Sequence, residues 1–258
     1  MSVITGIFVF LFGIVFGSFY NVIIYRVPLK ISIAKGRSFC TSCKHTLHAA
    51  DLVPIFSWLF LRGKCRYCGA KISPRYPIIE FITGCLFLLA YLTQGYGIGL
   101  ILYAAFWSML LIVTMMDIDG MIIAESVLLF FTLICALCLL LMKSPIVNHL
   151  FGFAIGFGIY LAIYFLAKAF YKKEAFGFGD VELMGSIGLI LGLRGSVEAL
   201  FLSFYIAVMG IIILKIVGKA TERRMEIPFG PYMCLAAFFV SLFEQPIYDL
   251  YMKILLGK

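Results

Sequence analysis

Charge is what this 258-residue chain has least of. Asp, Glu, Lys and Arg together make up 13% of it, roughly half the share found in an ordinary soluble domain. With 63% hydrophobic residues and a mean hydropathy of +1.07, that scarcity excludes a water-soluble globule. Histidine is scarce as well. His45, His48 and His149 are the only three, and none sits in a recognisable nucleophile setting, which argues against Ser–His or Cys–His chemistry. Internal repeats, low-complexity tracts and a flexible interdomain linker are absent. Residues 1–25 lack a basic n-region and a convincing small-residue cleavage site, so they read as a first membrane span rather than a removed signal.

What fills the chain instead is apolar stretches of roughly 17–25 residues, each long enough to cross ~30 Å of hydrocarbon. Spans are expected at 3–25, 76–93, 97–116, 121–142, 146–167, 181–193, 196–214 and 228–243. The fold class is therefore all-α: a polytopic transmembrane helix bundle of about eight spans. Residues 1–25 form the first span, 26–75 a hydrophilic loop and 76–258 the remaining bundle. The net charge of +8 suggests nucleic acid until its distribution is read. Of the 21 Lys and Arg, ten lie in 26–75, three are Lys168, Lys172 and Lys173, and four are Lys215, Lys219, Arg223 and Arg224. Eight spans put all three segments on one face of the bilayer, which the positive-inside rule makes cytoplasmic. Only Lys143, Arg194, Lys253 and Lys258 remain for the other face. Orientation accounts for the basic balance, so no nucleic-acid partner is expected; the lipid bilayer is.

Against this background two carboxylate-bearing membrane edges stand out. "TMMDIDGMII" (114–123) lies where the third span leaves the membrane, and "AFGFGDVELM" (175–184) where the sixth enters it, both on the cytoplasmic face. A single acidic residue at a helix end is ordinary, because carboxylates favour helix N-termini and turns. A pair converging at one face supports specific chemistry. Two close carboxylates share one proton, the ionised member acting as general base on a water and the protonated one polarising a peptide carbonyl. That is aspartic-protease chemistry and needs no cofactor. Asp180 has Gly177 and Gly179 before it, where a substrate backbone can approach closely. Its partner is Asp117 or Asp119; two residues apart on a helix they point to different faces, and the residues alone do not choose.

The hydrophilic loop carries the strongest motif. Cys40, Cys43, Cys65 and Cys68 form two C-x-x-C pairs separated by 21 residues, the donor set of a closed, tetrahedral, structural zinc site. Two disulfides are the competing reading, disfavoured in a cytoplasmic loop; His45 and His48 are possible substitute ligands. Cys85, Cys135, Cys138 and Cys234 lie inside spans and read as small apolar packing residues. Between the knuckles, "DLVPIFSWLFLRG" (51–63) is apolar at roughly helical spacing. It either lies along the membrane surface or bundle, or forms a short core helix of the zinc module. No Gly-rich nucleotide fingerprint occurs in 26–75.

"FGSFYNVIIYRVP" (16–28), the paired C-x-x-C knuckles, "LRGKCRYCGAKISPRYPIIE" (61–80) and "GFGD" (177–180) together resemble the type IV prepilin peptidase family over essentially the whole chain. The resemblance implies a membrane aspartic endopeptidase with a GxGD-type site. It would cut the short basic leader from prepilins or pseudopilins of type IV pili, type II secretion or competence systems at the cytoplasmic membrane. It implies Asp117 and Asp180 as the catalytic pair, with Asp119 second choice. It also implies that the new pilin N-terminus is methylated with S-adenosylmethionine, an activity associated with the zinc-binding loop. One departure stands out: the family has Ile-Pro-Asp or Ile-Pro-Asn after the first aspartate, whereas this chain reads Ile123-Ala124-Glu125, which puts the local helix start in question. Glu125, Glu174 and Glu182 are candidates to meet the basic leader. The competing classes are a transporter using the carboxylates, with Glu80, as a proton relay, and a membrane-anchored zinc-ribbon scaffold.

Overall fold

In hydrocarbon, a backbone can satisfy its polar groups only through helix or closed barrel. The computed structural model of this chain takes the first route. It is 75% helix, with no strand among the described residues, which are 2–171, 177–216 and 228–256. The described residues form eight α-helices in chain order: α1 Val3–Arg26, α2 Phe56–Phe60, α3 Arg75–Gln94, α4 Ile98–Gly120, α5 Glu125–Leu141, α6 Ile146–Tyr171, α7 Phe178–Ile216 and α8 Gly230–Leu256. Five of them are long and apolar enough to cross a membrane, and the shorter Glu125–Leu141 and Gly230–Phe243 are apolar too. The eight expected spans are thus accounted for when α7 is taken as two arms.

The division of α7 is visible in its backbone. Gly192 is non-helical (φ 78°, ψ −175°), a conformation open to glycine and strained for other residues. Positions 188 and 196 would be about 12 Å apart along a straight helix. Instead, a Cβ on Gly188 would meet Ser196 Oγ at 2.9 Å, so the chain folds back at Gly192 into an antiparallel pair. Asn148 Oδ1 accepts the Leu193 N–H over 3.3 Å and ties the turn to α6.

The chain forms two compact units, Met1–Ala104 and Ala105–Lys258. In the first, α1 packs on α3 through absent side chains. A Cβ on Gly13 would lie 2.9 Å from the Gly84 Cα, and one on Gly17 would lie 2.6 Å from the Glu80 Cα. Gly13 and Gly17 form a G-x-x-x-G stripe, the spacing that lets two membrane helices approach until their backbones touch. In the second unit, α6 packs on both arms of α7, and α8 packs on α7. Trp107, buried at the centre, donates from Nε1 to Ser241 Oγ over 2.9 Å, which satisfies its one polar atom. Tyr160 is fully buried and its hydroxyl bonds Ser203 Oγ over 3.0 Å.

Gly152 and Gly156 of α6 sit directly against the α7 backbone; a Cβ on Gly156 would lie 2.7 Å from the Met184 carbonyl oxygen, and one on Gly152 would press on Gly188 and Gly192. Because backbone has little room to yield, Gly152→Ala is expected to cost about 1–3 kcal/mol. A thermal melt of the purified protein in detergent checks this: an unchanged midpoint would show that the helices separate freely.

Cys135, Cys138 and Cys234 are buried, as expected of packing residues, whereas Cys85 is exposed on α3. The difference follows from helix geometry: Cys85 lies next to Gly84 on the turn, but its side chain falls outside the stripe that faces α1. Glu80, the further carboxylate a proton relay would need, lies in α3. It is buried, with its Oε2 accepting the Ile55 N–H over 2.7 Å.

Candidate active site and metal cluster

α4 continues past the expected end of the third span and carries Asp117 and Asp119 in its last turn. The helical 100° per residue then separates them: Asp117 is 5% exposed and Asp119 lies on the exposed side. Asp180 is 8% exposed in the first turn of α7. Both Asp117 and Asp180 act electrostatically on buried Cys234 of α8, and Asp117 acts on Asp180. The two inward-facing carboxylates therefore share one neighbourhood, built from the end of α4 and the starts of α7 and α8. Tyr160 of α6 feels the Asp180 charge as well.

Each carboxylate is held by backbone. Asp117 Oδ2 accepts the Gly230 N–H over 2.9 Å, so the first residue of α8 spends an otherwise unsatisfied helix-end donor on it. Asp180 closes a capping arrangement with Gly177: its own N–H donates to the Gly177 carbonyl over 3.2 Å, and the Gly177 N–H donates to its carboxylate. The ordinary helix-start role of Asp180 and a chemical role are thus compatible in one side chain. Gly177 is exposed beside the carboxylate, whereas the missing side chain of Gly179 is taken up by Ile123, whose Cβ would lie 2.8 Å from an added Cβ.

Gly230, Tyr160 and Thr114, which hydrogen-bonds Cys234, belong to this neighbourhood without a chemical motif in the sequence to mark them. Only Gly230 left a trace, standing between Pro228 and Pro231 at a helix start. A Cβ on Gly230 would lie 2.6 Å from Asp117 Oδ2. Gly230→Ala should therefore swing that carboxylate away and reduce turnover on the proposed substrate about a hundredfold, with the fold retained. A rate within about twofold of wild type in the same assay would show that this contact does not position Asp117.

The departure at Ile123-Ala124-Glu125 is resolved locally. Ala124 takes an extended conformation (φ −81°, ψ 111°) and α5 begins at Glu125 without a proline, the glutamate favouring the positive helix N-terminus. Glu125 is exposed and acts electrostatically on half-buried Glu182; Glu174 lies outside the described residues.

In the first unit the four cysteines converge. The sulfurs of Cys40, Cys43, Cys65 and Cys68 all lie within 4.8 Å of one another, Cys40 to Cys68 at 3.9 Å. A tetrahedral ion with sulfur at about 2.3 Å asks for sulfur–sulfur separations near 3.8 Å, so this cluster could hold a metal ion. The two knuckles repeat one hydrogen-bond pattern. The Cys40 N–H donates to the His45 carbonyl and the Cys65 N–H to the Ala70 carbonyl, while the Lys44 and Gly69 N–H groups return to the Cys40 and Cys65 carbonyls. Lys44 (φ 59°) and Gly69 (φ 72°) occupy the same left-handed position after each second cysteine. The Cys43 backbone N–H is the main influence bringing the Cys40 thiol down to about 6, which favours the metal-binding thiolate.

His45 and His48 stand outside the four-sulfur cluster; the His45 ring lies on Tyr67, centroids 3.8 Å apart. Asp51 braces the knuckles through Arg66 Nε at 2.6 Å and the Tyr67 hydroxyl at 2.9 Å. Its burial opposes ionisation, but the bonds from Arg66, the His48 N–H and Tyr67 prevail and hold its carboxyl below the usual carboxylate range. The apolar segment between the knuckles combines the two expectations. α2 exposes Phe56, Leu59 and Phe60, while Trp58 turns to the module and donates from Nε1 to the Ile72 carbonyl over 3.1 Å.

Comparison with known proteins places both halves. Residues 11–94 match the bacterial peptidase A24 N-terminal domain, and residues 104–214 match the type IV leader peptidase family. The chain is 36% identical over 251 residues to a prepilin leader peptidase/N-methyltransferase of Bacillus subtilis (strain 168), covering 96% of this chain and 98% of that one. It is 34% identical over 256 residues to a protein of the same name from Myxococcus xanthus (strain DK1622), covering 97% and 76%. A third of that name, from Klebsiella pneumoniae, is 34% identical over 207 residues, covering 77% and 90%. No solved structure matches the chain.

Proposed function

The chain belongs to the type IV leader peptidase family, and from that premise we propose that it is a multi-pass membrane aspartic endopeptidase that removes the basic leader of type IV prepilins or pseudopilins. Asp117 and Asp180 direct a water onto the scissile carbonyl, one accepting its proton while the other polarises the carbonyl oxygen. The observation that carries this reading is the burial of both carboxylates in one neighbourhood around Cys234, each held by a backbone N–H. Asp119, on the exposed side of α4, does not share it. The distribution of basic segments along the sequence supports a cytoplasmic position for this site. Gly177 gives an extended substrate backbone room beside Asp180, and Glu125 and Glu182 supply negative charge for a basic leader.

The four-cysteine cluster holds zinc, which, with all four positions filled by sulfur, orders the loop and takes no part in hydrolysis. The second activity is methylation of the new pilin N-terminus from S-adenosylmethionine; the relatives' names and the intact cysteine loop support it.

The test is reconstitution of the purified protein in bilayer discs with a prepilin carrying a basic leader before its apolar helix. Mass spectrometry should find the chain cut at that junction, and added S-adenosylmethionine should methylate the new N-terminus. A prepilin left intact under all conditions would remove the peptidase reading, and a cut but unmodified N-terminus would remove the second activity alone.

A further inference from the structure

The first unit contains a cavity of about 400 Å³ that borders the four-cysteine cluster at Cys40 and Cys65 and that hydrolysis does not use. That volume is within the range of pockets that enclose a small organic ligand. Asn21, Tyr25 and Arg26 of α1, Trp58 of α2, and Tyr76 and Glu80 of α3 line it. Two of these are charges of opposite sign, each 7% exposed, and taking charge out of water is costly unless it is used.

Neither charge is exhausted by its internal bonds. Arg26 donates from Nη1 to the Ser32 and Lys35 carbonyls and from Nη2 to the Arg37 carbonyl, which accounts for three of a guanidinium's five N–H groups. Glu80 accepts the Ile55 N–H at 2.7 Å and a bond from Ser18, and a carboxylate has about four acceptor positions. Ile55 adopts φ 61°, ψ −54°, a region that β-branched residues rarely enter. Such strain persists only where surrounding contacts over-determine it, and it gathers at functional sites. Here the Glu80 carboxylate holds the strained residue immediately before α2, and α2 sets Trp58 in the cavity wall.

An anion, a cation, an amide and three aromatic rings around one small space describe a particular ligand chemistry: a zwitterion bearing extra positive charge and a flat heterocycle. We infer that this cavity is the S-adenosylmethionine site, with Glu80 meeting the ligand's ammonium and sulfonium end, Arg26 its carboxylate, and Trp58, Tyr25 and Tyr76 its purine. The inference rests on the methyl-transfer reading above and gives it a place in the chain.

Equilibrium binding of radiolabelled S-adenosylmethionine to the full-length, zinc-loaded protein tests it. Wild type should bind, and ultraviolet crosslinking should attach the label to peptides within residues 18–80. Glu80→Gln should weaken binding roughly tenfold or more, and Val22→Phe, at a residue that also lines the cavity, should fill it with an apolar ring and abolish binding; zinc content per chain reports that each variant has folded. Label attached elsewhere, or undiminished binding by both folded variants, overturns the cavity assignment while leaving methyl transfer intact. No binding by wild type, together with unmethylated mature pilin, overturns the methyl-transfer reading and this inference with it.

Discussion

Asparagine in place of either Asp117 or Asp180 is expected to leave a prepilin uncut, with a loss of at least about a thousandfold in turnover. The substitution is nearly isosteric and keeps an acceptor oxygen, so the Gly230 N–H still finds a partner at position 117 and the Gly177 N–H at 180. What vanishes is the shared proton: an amide can neither take a proton from water nor alternate roles with its neighbour. Asp119→Asn supplies the contrast, because its side chain lies on the exposed side of α4 and cleavage should stay near wild type. Gel mobility of a co-expressed prepilin separates the three cases. Normal processing by either Asp117→Asn or Asp180→Asn would remove that residue from the pair. Loss confined to Asp119→Asn would mean that α4 rotates its other carboxylate into the site.

Removing the metal is expected to have the second large effect. Cys65 is the buried member of the four-cysteine cluster, and its segment offers little else to fold around: α2 has no buried residue and the 3₁₀ turn Ala49–Asp51 has none. A structural zinc contributes on the order of 10 kcal/mol to such a module, far more than the Asp51–Arg66 bridge, whose arginine side chain is 51% exposed. Cys65→Ser should therefore reduce bound zinc from one per chain to none. It should also open residues 39–72 to limited proteolysis, with cleavage sites absent from wild type. Elemental analysis and peptide mapping read the two effects. A metal-free variant that resisted protease as wild type does would show that the loop folds without its metal.

Much of this molecule can be read along the chain. Apolar runs longer than a bilayer is thick leave only helices, so α1, α3, α4 and α6 lie close to where hydropathy puts them. The knuckles are equally legible, because four cysteines in two C-x-x-C pairs have few ways to be useful together. The break between two short spans is legible in hydropathy, but the turn itself falls at Gly192, inside the expected 181–193 span. Proline is absent from Ile123-Ala124-Glu125, yet α5 starts at Glu125 all the same, since helix starts draw on several weak local preferences of which proline is one.

What the linear order determined by itself is periodicity and donor type: membrane helices, a four-sulfur site, and two acidic edges sharing a face if eight spans are counted. Choosing between Asp117 and Asp119 as the inward carboxylate took the rotation of α4 about its axis, which adjacent packing sets and hydropathy does not encode. The same holds for Gly230, 113 residues from Asp117 in sequence and 2.9 Å from it through a hydrogen bond. It holds too for Glu80, whose burial in the wall of a cavity no pattern along the chain marks. Contacts between distant segments arise when helices pack, and no local pattern records them.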